Sequence, residues 1–460
     1  MRKTRFAIAA ILLAAMSGAA MSGCGGTESS MRSLDSATAA EVAEIASEDS
    51  RLTGELENKT IKWLANWDIN PDSTGKNVPI ELAIFQSRYG GKIEWTNVAW
   101  EDRYDRIATA ISGDEGIDFF PASDLDAFPR GAIKDQLAPI DDYIDFTDPL
   151  FEPMKKTMDM FQWGGKHYVI ANSVSGDNCC IIYNKDTIEE NGLKDPKKLF
   201  DEGNWTWDTF TQQLKQFVDI EDSRFGIDGW WFEAGLSATC GVPYVGIKDG
   251  KLVNNLKDPA IERLQNWMFD LGSQGLVAIG VGDFGWNEMP NYIGEGKELY
   301  FPAGLWKIYG KKADWSGVFG ENIMFVPMPK DPNASEYYMP CGLDGYVMLK
   351  GGKNPQGVAK FAACKRVTIT NERADAIATQ QLIDDYGWTQ EMVDMKKKLD
   401  EMAQANPYFD FYNAVSSDIS DLLDANENSI RVAAKGNTPW SESVSAIYSA
   451  VDAFLNQYNG

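Results

Sequence analysis

The sequence predicts an α/β protein, because strand-like and helix-like patterns alternate along the chain from about residue 60 onward. A strand pattern at 60–65 precedes a helical pattern at 78–89, and a second strand pattern at 92–98 precedes a helical pattern at 100–111. A third apolar run follows at 116–120. Such alternation is typical of βαβ units, so we expect a mostly parallel sheet with helices on both faces.

A second unit of the same class is predicted further along the chain. Residues 166–172 and 179–183 are typical of strands joined by a polar loop. Thr206 is a candidate N-cap for the helix that follows it. Asp258, followed by a proline, is typical of a helix start, and Gly272 is the expected end of that helix. The chain therefore contains enough elements for two sheets.

The first 24 residues carry the pattern of an exported lipoprotein. A basic segment at 2–5 precedes an apolar run at 6–16, which is too short to span a bilayer. The tetrapeptide Met-Ser-Gly-Cys, which ends at Cys24, resembles the bacterial lipobox, with Met21 where that pattern usually has leucine. We therefore predict a signal peptide over 1–23, lipidation at Cys24, and a location on the outer face of the cytoplasmic membrane.

The segment after Cys24 has the composition of a tether. No aromatic residue occurs between Phe6 and Trp63, and the segment is rich in Gly, Ser, Thr, Ala and Glu. Such a composition buries little apolar surface, so we predict a flexible tether over 24–58. The remaining residues, 59–460, are sufficient for two lobes with separate cores.

Composition excludes several function classes. The net charge of −25 argues against a nucleic-acid partner, because a phosphate-binding surface must be basic. His167 is the single histidine, so no two-histidine zinc motif can exist. Residues 280–285 fit GxGxxG, but Trp286 and an asparagine follow instead of a helix start, so the dinucleotide-binding context is absent. We expect no cofactor and no metal.

The cysteines do not form a recognisable framework. Beyond Cys24 there are five, an odd number with no CxxC spacing. The adjacent Cys179 and Cys180 are interpreted as buried apolar residues. A disulfide bond within the set of Cys240, Cys341 and Cys364 remains open.

Several short motifs occur in a characteristic order. The stretches are 98–102, 111–118, 137–144, 165–168, 181–186, 205–210 and 294–306. Together they resemble motifs of the carbohydrate-type extracellular solute-binding proteins of ABC importers, to which maltose-binding protein is distantly related. The resemblance covers nearly the whole chain from about residue 60. One departure is Glu298-Leu299, where the family has Ala-Met.

The resemblance implies a type II periplasmic-binding-protein-like fold, in which two α/β lobes enclose a ligand cleft. Lobe 1 is expected to comprise about 60–171 plus 330–370, and lobe 2 about 172–329 plus 371–460. Three crossing segments are expected near Asn172, Met328 and Thr368. Hinge closure around a ligand is the motion known for this class.

Tryptophans beside carboxylates or amides suggest a sugar site, because flat aromatic faces cover the apolar faces of a sugar and polar groups bind its hydroxyls. The resemblance places sugar contacts after the first and third strands, in the loop at 230–233, and at the tryptophan of the motif at 304–306. These contacts are Trp67, Asp68, Ser123, Asp124, Trp230, Trp231, Glu233 and Trp306. Further candidates are Trp286, Asp344, Tyr346 and Asn172, of which Asn172 is either a contact or part of the hinge.

We therefore predict a monomeric, non-enzymatic lipoprotein that binds an extracellular carbohydrate and delivers it to an ABC importer permease. Two alternatives remain open. One is a binding protein for a peptide, a polyol or a phosphorylated solute. The other is a glycoside hydrolase, since paired carboxylates among aromatic residues also describe those active sites. No local carboxylate pair in the sequence indicates catalysis.

Overall fold

The computed structural model describes residues 34–71, 78–123, 125, 127–228, 232–278, 289–425 and 429–459. The strands of this part are β1 Thr60–Ala65, β2 Lys92–Asn97, β3 Phe119–Pro121, β4 Leu137–Ala138, β5 Gln162–Trp163, β6 Lys166–His167, β7 Val169–Ser175, β8 Cys180–Asn184, β9 Phe225–Ile227, β10 Val245–Lys248, β11 Lys251–Asn254, β12 Glu298–Ala303, β13 Ile323–Pro327 and β14 Gly342–Leu349.

The longer helices are α1 Ser36–Glu48, α2 Ile80–Tyr89, α3 Arg103–Ser112, α4 Trp207–Phe217, α5 Pro259–Ser273, α6 Lys312–Phe319, α7 Pro355–Thr370, α8 Glu372–Tyr386, α9 Gln390–Ala405 and α10 Trp440–Asn459. Shorter helical segments include Arg130–Ile133, Lys155–Met158, Lys185–Glu190, Pro196–Asp201, Phe232–Ser237, Asn291–Gly294, Tyr412–Val415 and Ser417–Ser420.

Two larger sheets organise the described residues, and the pairs β5-β6 and β10-β11 form two small separate sheets. The first has the order β2-β1-β3-β14-β4, and β7 also pairs with β14. The second has the order β13-β8-β12-β9. We term the unit around the first sheet lobe 1 and the unit around the second sheet lobe 2. The predicted α/β class is confirmed.

The prediction that the sheets are mostly parallel is wrong. In lobe 1 the strand β1 is parallel to β2 and β3, but β14 is antiparallel to all of its neighbours. In lobe 2 only β12 and β9 are parallel, while β8 is antiparallel to both β12 and β13. The difference arises because β14 and β8 enter their sheets from the other lobe and not through a βαβ crossover.

The predicted helix starts agree with the structure, but one predicted helix end does not. Thr206 caps α4 with a reciprocal capping box, and Asp258 caps α5, as predicted. Gly272 does not end α5, which continues to Ser273. A side chain at Gly272 would overlap the backbone at Ala434, so glycine is required there for close packing, and the left-handed residue is Gly275.

Two of the three predicted crossings lie elsewhere. The strand β7 continues past Asn172 to Ser175, which pairs with Gly342 of β14, so the first crossing lies at 176–179. The second segment follows β13 at Met328. The helix α7 runs through Thr368 without a break, and the next helix α8 still packs against α2 of lobe 1. The third crossing therefore follows α8.

The prediction of a flexible tether over 24–58 is wrong for the part that contains the helix α1. Val42, Ile45 and Ala46 form its buried face, and α1 packs against α2 and α8. Residues 36–58 therefore belong to the folded body, because a short apolar stripe within the Glu-rich and Ala-rich segment is sufficient to dock a helix.

Arg373 of α8 fastens the exposed face of α1. Its guanidinium lies 3.2 Å from a carboxylate oxygen of Glu41 and 3.3 Å from one of Glu48, and it also pairs with Glu44. These three carboxylates lie on successive turns of α1 and meet one cation. We term this arrangement the Arg373 clamp.

We expect Arg373→Ala to loosen α1 selectively, because the three glutamates would lose their shared cation while the apolar stripe stays intact. Hydrogen exchange should become faster across 36–48 and remain unchanged in the β-strands of both lobes. High salt should produce a similar change in the wild type. The matched control is Lys398→Ala, which removes an exposed pair with Glu401 within α9. Equal exchange at α1 in Arg373→Ala and in the wild type would contradict this role.

The five cysteines of the described chain are all buried and unbridged, so the disulfide that the sequence left open is absent. Among the described residues, none of the helices combines the length and apolar character required to cross a membrane. The predicted signal peptide and Cys24 lie outside the described residues.

Candidate functional site

Two cavities of about 440 Å³ each lie at the carboxyl end of β3, where Ser123 lines both, and one of them extends to the carboxyl end of β1. The first, termed the lobe-1 chamber, includes among its lining Trp67, Asp68, Glu81, Ser123, Asp344, Tyr346, Lys365 and Tyr386. The second, termed the interlobe chamber, includes Trp100, Arg103, Tyr104, Ser123 and Arg130 from lobe 1 and Asn178, Gly235, Tyr412, Asp424 and Arg431 from lobe 2.

Trp67 provides an exposed aromatic face in the lobe-1 chamber. Its side chain is 40% exposed and meets the buried ring of Trp63 edge to face, with 5.6 Å between ring centroids. The indole Nε1 of Trp63 also donates to the backbone oxygen of Trp67 at 3.0 Å. A buried residue of β1 thus fixes the loop that carries the exposed tryptophan. Asp68 follows it and accepts from the backbone N–H of Asn70 at 2.9 Å.

The opposite wall of the lobe-1 chamber comes from β14 and two helices. Tyr346 is buried and its ring stacks on Phe361 of α7. The Nζ of Lys365 lies 2.8 Å from Oε1 of Glu81 and 3.5 Å from Oδ2 of Asp344. Burial lowers the pKa of Lys365, but Asp344 and Glu81 outweigh burial and hold this pKa well above its ordinary value. Lys365 is therefore a fixed ammonium ion.

The interlobe chamber combines aromatic rings with guanidinium groups. The guanidinium of Arg103 lies 3.4 Å from the ring centroid of Trp100, and that of Arg130 lies 4.6 Å from the centroid of Tyr104. Arg130 also donates to the backbone oxygens of Asn413 and Val415, at 3.4 Å each. Lobe 1 therefore already contacts lobe 2 at this chamber.

Glu233 lies behind the interlobe chamber and does not line it. Its side chain is 1% exposed, whereas its neighbours Ala234 and Gly235 line the chamber. One carboxylate oxygen lies 4.0 Å from Nη1 of Arg431, and neither oxygen has a hydrogen-bond partner in the described part of the chain. Burial raises the pKa of Glu233 to about 8, although Arg431 lowers it. The predicted role of Glu233 as a direct contact is not supported by this position.

Trp306 is the most exposed of the large apolar side chains that are described, at 55%. It follows β12 in a short turn that is held from two sides. The N–H of Leu305 donates to the backbone oxygen of Asp177 at 2.9 Å, and Nε1 of Trp388 donates to the oxygen of Ile308 at 3.0 Å. Trp306 lines neither chamber, but it lies near Asn178 of the interlobe chamber, since both approach Gly304 closely. It is available at the edge of the cleft.

The remaining predicted residues divide into three groups. Asp344 and Tyr346 line the lobe-1 chamber together with Trp67, Asp68 and Ser123. Asn172 is fully buried behind that chamber, and its Nδ2 lies 3.5 Å from Oδ1 of Asp344, so it supports the wall. Four of the predicted contacts lie outside the described residues, namely Asp124, Trp230, Trp231 and Trp286.

Sequence reasoning missed several lining residues. Glu81 and Lys365 lie on helices, and Arg431 lies between the short helix Ser417–Ser420 and α10, so none of the three follows a strand end. An i, i+4 or strand-end pattern could not have revealed them, because Glu81 and Lys365 are 284 positions apart. Only the tertiary packing of α2 against α7 brings this pair together.

His167 contributes to structure and not to either chamber. Its ring nitrogens lie 2.9 Å from carboxylate oxygens of Asp141 and Asp159, and its ring packs on Phe146. Within the described ranges no group of three or more His, Cys, Asp or Glu side chains is arranged to hold a metal ion.

Comparisons with known structures support this architecture. The substrate-binding protein Lmo0181 of Listeria monocytogenes, in complex with cycloalternan, aligns with a TM-score of 0.62 and 17% identity over 87% of this chain and 100% of that chain. The GacH receptor of Streptomyces glaucescens, also solved with acarbose, aligns with a TM-score of 0.59 and 17% identity over 87% and 99%.

A binding protein of B. animalis subsp. lactis, in complex with β-1,6-galactobiose, aligns with a TM-score of 0.58 and 17% identity over 87% of this chain and 98% of that chain. At such identities the likeness shows the fold alone. A search of curated proteins gave no significant match. The profile of the bacterial extracellular solute-binding protein family matches residues 82–383. The chain therefore belongs to the bacterial extracellular solute-binding protein family.

Proposed function

We propose that this protein captures an extracellular carbohydrate by closing its two lobes and delivers the sugar, chemically unchanged, to the permease of an ABC importer. The observation that carries the proposal is the pair of exposed tryptophans at the cleft. Trp67 follows β1 of lobe 1 and Trp306 follows β12 of lobe 2, and both are fixed from behind by buried partners. Rigid aromatic faces flanked by polar groups suit the mixed surface of a sugar.

The polar lining also fits a hydroxyl-rich ligand. Asp68, Ser123 and Asp344 provide oxygen acceptors in the lobe-1 chamber, and Asn178 provides an amide in the interlobe chamber. Several solved proteins of the same fold were crystallised with oligosaccharides, including cycloalternan and β-1,6-galactobiose. We retain Asp124, Trp230, Trp231 and Trp286 as proposed contacts on the basis of the sequence.

The proposal includes a membrane anchor at Cys24 and action as a monomer. Anchoring would keep the receptor beside its permease, and the diacylglyceryl group of a lipoprotein supplies the two acyl chains that stable attachment requires. Mass spectrometry of the mature N terminus tests it: a diacylglyceryl-modified Cys24 as the first residue supports the anchor, and any other N terminus contradicts it.

Titration calorimetry against a panel of neutral oligosaccharides tests the function. We expect at least one sugar to bind, and chromatography should recover it intact after prolonged incubation with the protein. New reducing ends would favour the glycoside hydrolase alternative. A panel without a binder, together with binding of a peptide, a non-sugar polyol or a phosphorylated solute, would overturn the carbohydrate assignment.

For a sugar that binds, we expect Trp67→Ala and Trp306→Ala each to weaken affinity by about 30-fold, the effect of losing an aromatic contact that the bound ligand covers. The matched control is Tyr143→Ala, which removes an exposed aromatic residue, 38% exposed, outside both chambers and should leave affinity unchanged. Full affinity in both tryptophan variants would remove these residues from the site.

A further inference from the structure

The lobe-1 chamber contains a cation that its own neighbours already neutralise. The Nζ of Lys365 lies 2.8 Å from Oε1 of Glu81 and 3.5 Å from Oδ2 of Asp344. The side chains of Glu81 and Lys365 are only 12% and 22% exposed, so the pair is shielded from bulk water. The ammonium group is thus engaged before any ligand arrives.

The charges that face the chamber do not balance. Its charged lining residues are Asp68, Glu81, Asp344 and Lys365, so three carboxylates share the chamber with one ammonium group. Among the described residues, Asp68 accepts hydrogen bonds only from Asn70, and no described lysine or arginine forms an ion pair with it. The chamber therefore presents net negative charge to a ligand, and the effect of charge is stronger in a partly enclosed cavity than in water.

The rest of the lining suits an uncharged ring. Trp67 offers an exposed face, and Tyr346 and Tyr386 add aromatic surface beside it. A cavity of about 440 Å³ is within the usual range for small-molecule sites. An acidic ligand would require a guanidinium or ammonium group that is free to bind it, and the only lysine or arginine among the described lining residues is Lys365.

We infer that the lobe-1 chamber selects neutral and amino sugars against sugars that carry a carboxylate, sulfate or phosphate group, and that Glu81 determines this selectivity by withholding Lys365 from the ligand. The inference rests on the proposed function, because it concerns the same cleft. It adds the charge class of the ligand and a specificity-determining residue on α2 that does not lie at a strand end.

The test compares ligands that differ only in charge. For each neutral oligosaccharide of the panel, calorimetry is repeated with its 6-carboxy derivative and its 6-amino-6-deoxy derivative. We expect the carboxy derivative to bind at least about tenfold more weakly than the parent, because its carboxylate is repelled by the net negative charge of the chamber. The amino derivative should bind at least as well as the parent. The difference in affinity should shrink as NaCl rises from about 0.05 M to about 0.5 M, because this shortens the Debye length about threefold.

Variants then assign the effect to Glu81. In Glu81→Gln the ammonium group of Lys365 keeps only Asp344, so the ratio of carboxy-derivative affinity to parent affinity should rise by about tenfold. Asp68→Asn removes one negative charge without touching Lys365 and should raise the same ratio by a smaller factor. This second variant keeps the test valid if Glu81→Gln folds poorly. Glu221→Gln, an exposed change outside the chamber, is the matched control and should leave the ratio unchanged.

The outcomes separate this inference from the proposed function. If parent and carboxy derivatives bind equally well, or if only acidic sugars bind, the charge selection is wrong while carbohydrate binding stands. If the ratio does not change in Glu81→Gln or in Asp68→Asn, these residues do not set the selectivity. If no sugar of any charge binds, the proposed function fails and this inference fails with it.

Discussion

Glu233→Gln is expected to raise the free energy of unfolding by about 3 kcal/mol at pH 7, because it replaces a buried carboxyl group that must remain protonated in the folded protein. Burial raises the pKa of Glu233 from 4.5 to about 8. Between these values the folded protein retains a proton that the unfolded chain releases, so stability falls as pH rises through this window. Glutamine has nearly the same shape and does not titrate, so the variant avoids that loss.

Thermal and urea unfolding at several pH values measure this effect. The stability difference between Glu233→Gln and the wild type should grow between about pH 4.5 and pH 8 and level off above pH 8. It should vanish below about pH 4.5, where both states of the wild type bind the proton. The control is Glu190→Gln, an exposed change that should alter stability by less than about 0.5 kcal/mol. A variant that is less stable than the wild type at pH 7 would show that the carboxylate is ionised and stabilising.

Trp388→Ala is expected to lower the free energy of unfolding by about 4 kcal/mol, the usual cost of deleting a buried tryptophan. Trp388 lies directly after α8 and is 2% exposed. Its ring stacks on Tyr309, with 5.3 Å between centroids, and its Nε1 donates to the oxygen of Ile308 at 3.0 Å. Truncation would leave a cavity and an unpaired carbonyl group in the turn that carries Trp306.

Two substitutions calibrate this effect. Trp388→Phe keeps ring packing but removes the N–H donor, so we expect a smaller loss of about 1–2 kcal/mol. Trp306→Ala changes an exposed ring and should cost less than about 1 kcal/mol of stability while it weakens sugar binding. Chemical denaturation measures the free energy of unfolding of the three variants. It distinguishes Trp388, which stabilises the turn, from Trp306, which offers its exposed ring to the sugar. If Trp388→Ala unfolds like the wild type, the turn does not depend on Trp388.

Local features of the fold could be predicted from the sequence. The strand at Thr60–Ala65 and the N-caps at Thr206 and Asp258 follow from apolar runs and capping side chains, and the structure confirms them. Features that depend on contacts between distant segments could not be predicted. The antiparallel course of β14 is one example, since its partners lie far away along the chain.

In the candidate site, too, residues that follow a strand could be predicted from the sequence, whereas residues placed by contacts between distant segments could not. Two of the predicted strand ends lie at one cavity, because Trp67 after β1 and Ser123 after β3 both line the lobe-1 chamber. The same reasoning did not predict Lys365, which enters the chamber from a helix. Glu233 shows the opposite error: its position in a loop-like stretch suggested an exposed contact, but the helix turns its carboxylate into the interior. Side-chain direction on a short helix is set by packing that the sequence alone does not reveal.

The Arg373 clamp joins α1 to lobe 1, and this has a consequence under the proposed lipidation of Cys24. With α1 fastened to lobe 1, Leu34 is the first described residue, ten positions after Cys24, so the two are at most about 35 Å apart. A lipid on Cys24 would then keep lobe 1 anchored near the bilayer, and lobe 2 would be the lobe that moves during closure. Sugar binding would change the distance between lobe 2 and the membrane, whereas the distance between lobe 1 and the membrane would stay constant. The permease would therefore meet a different arrangement of lobe 2 when a sugar is bound.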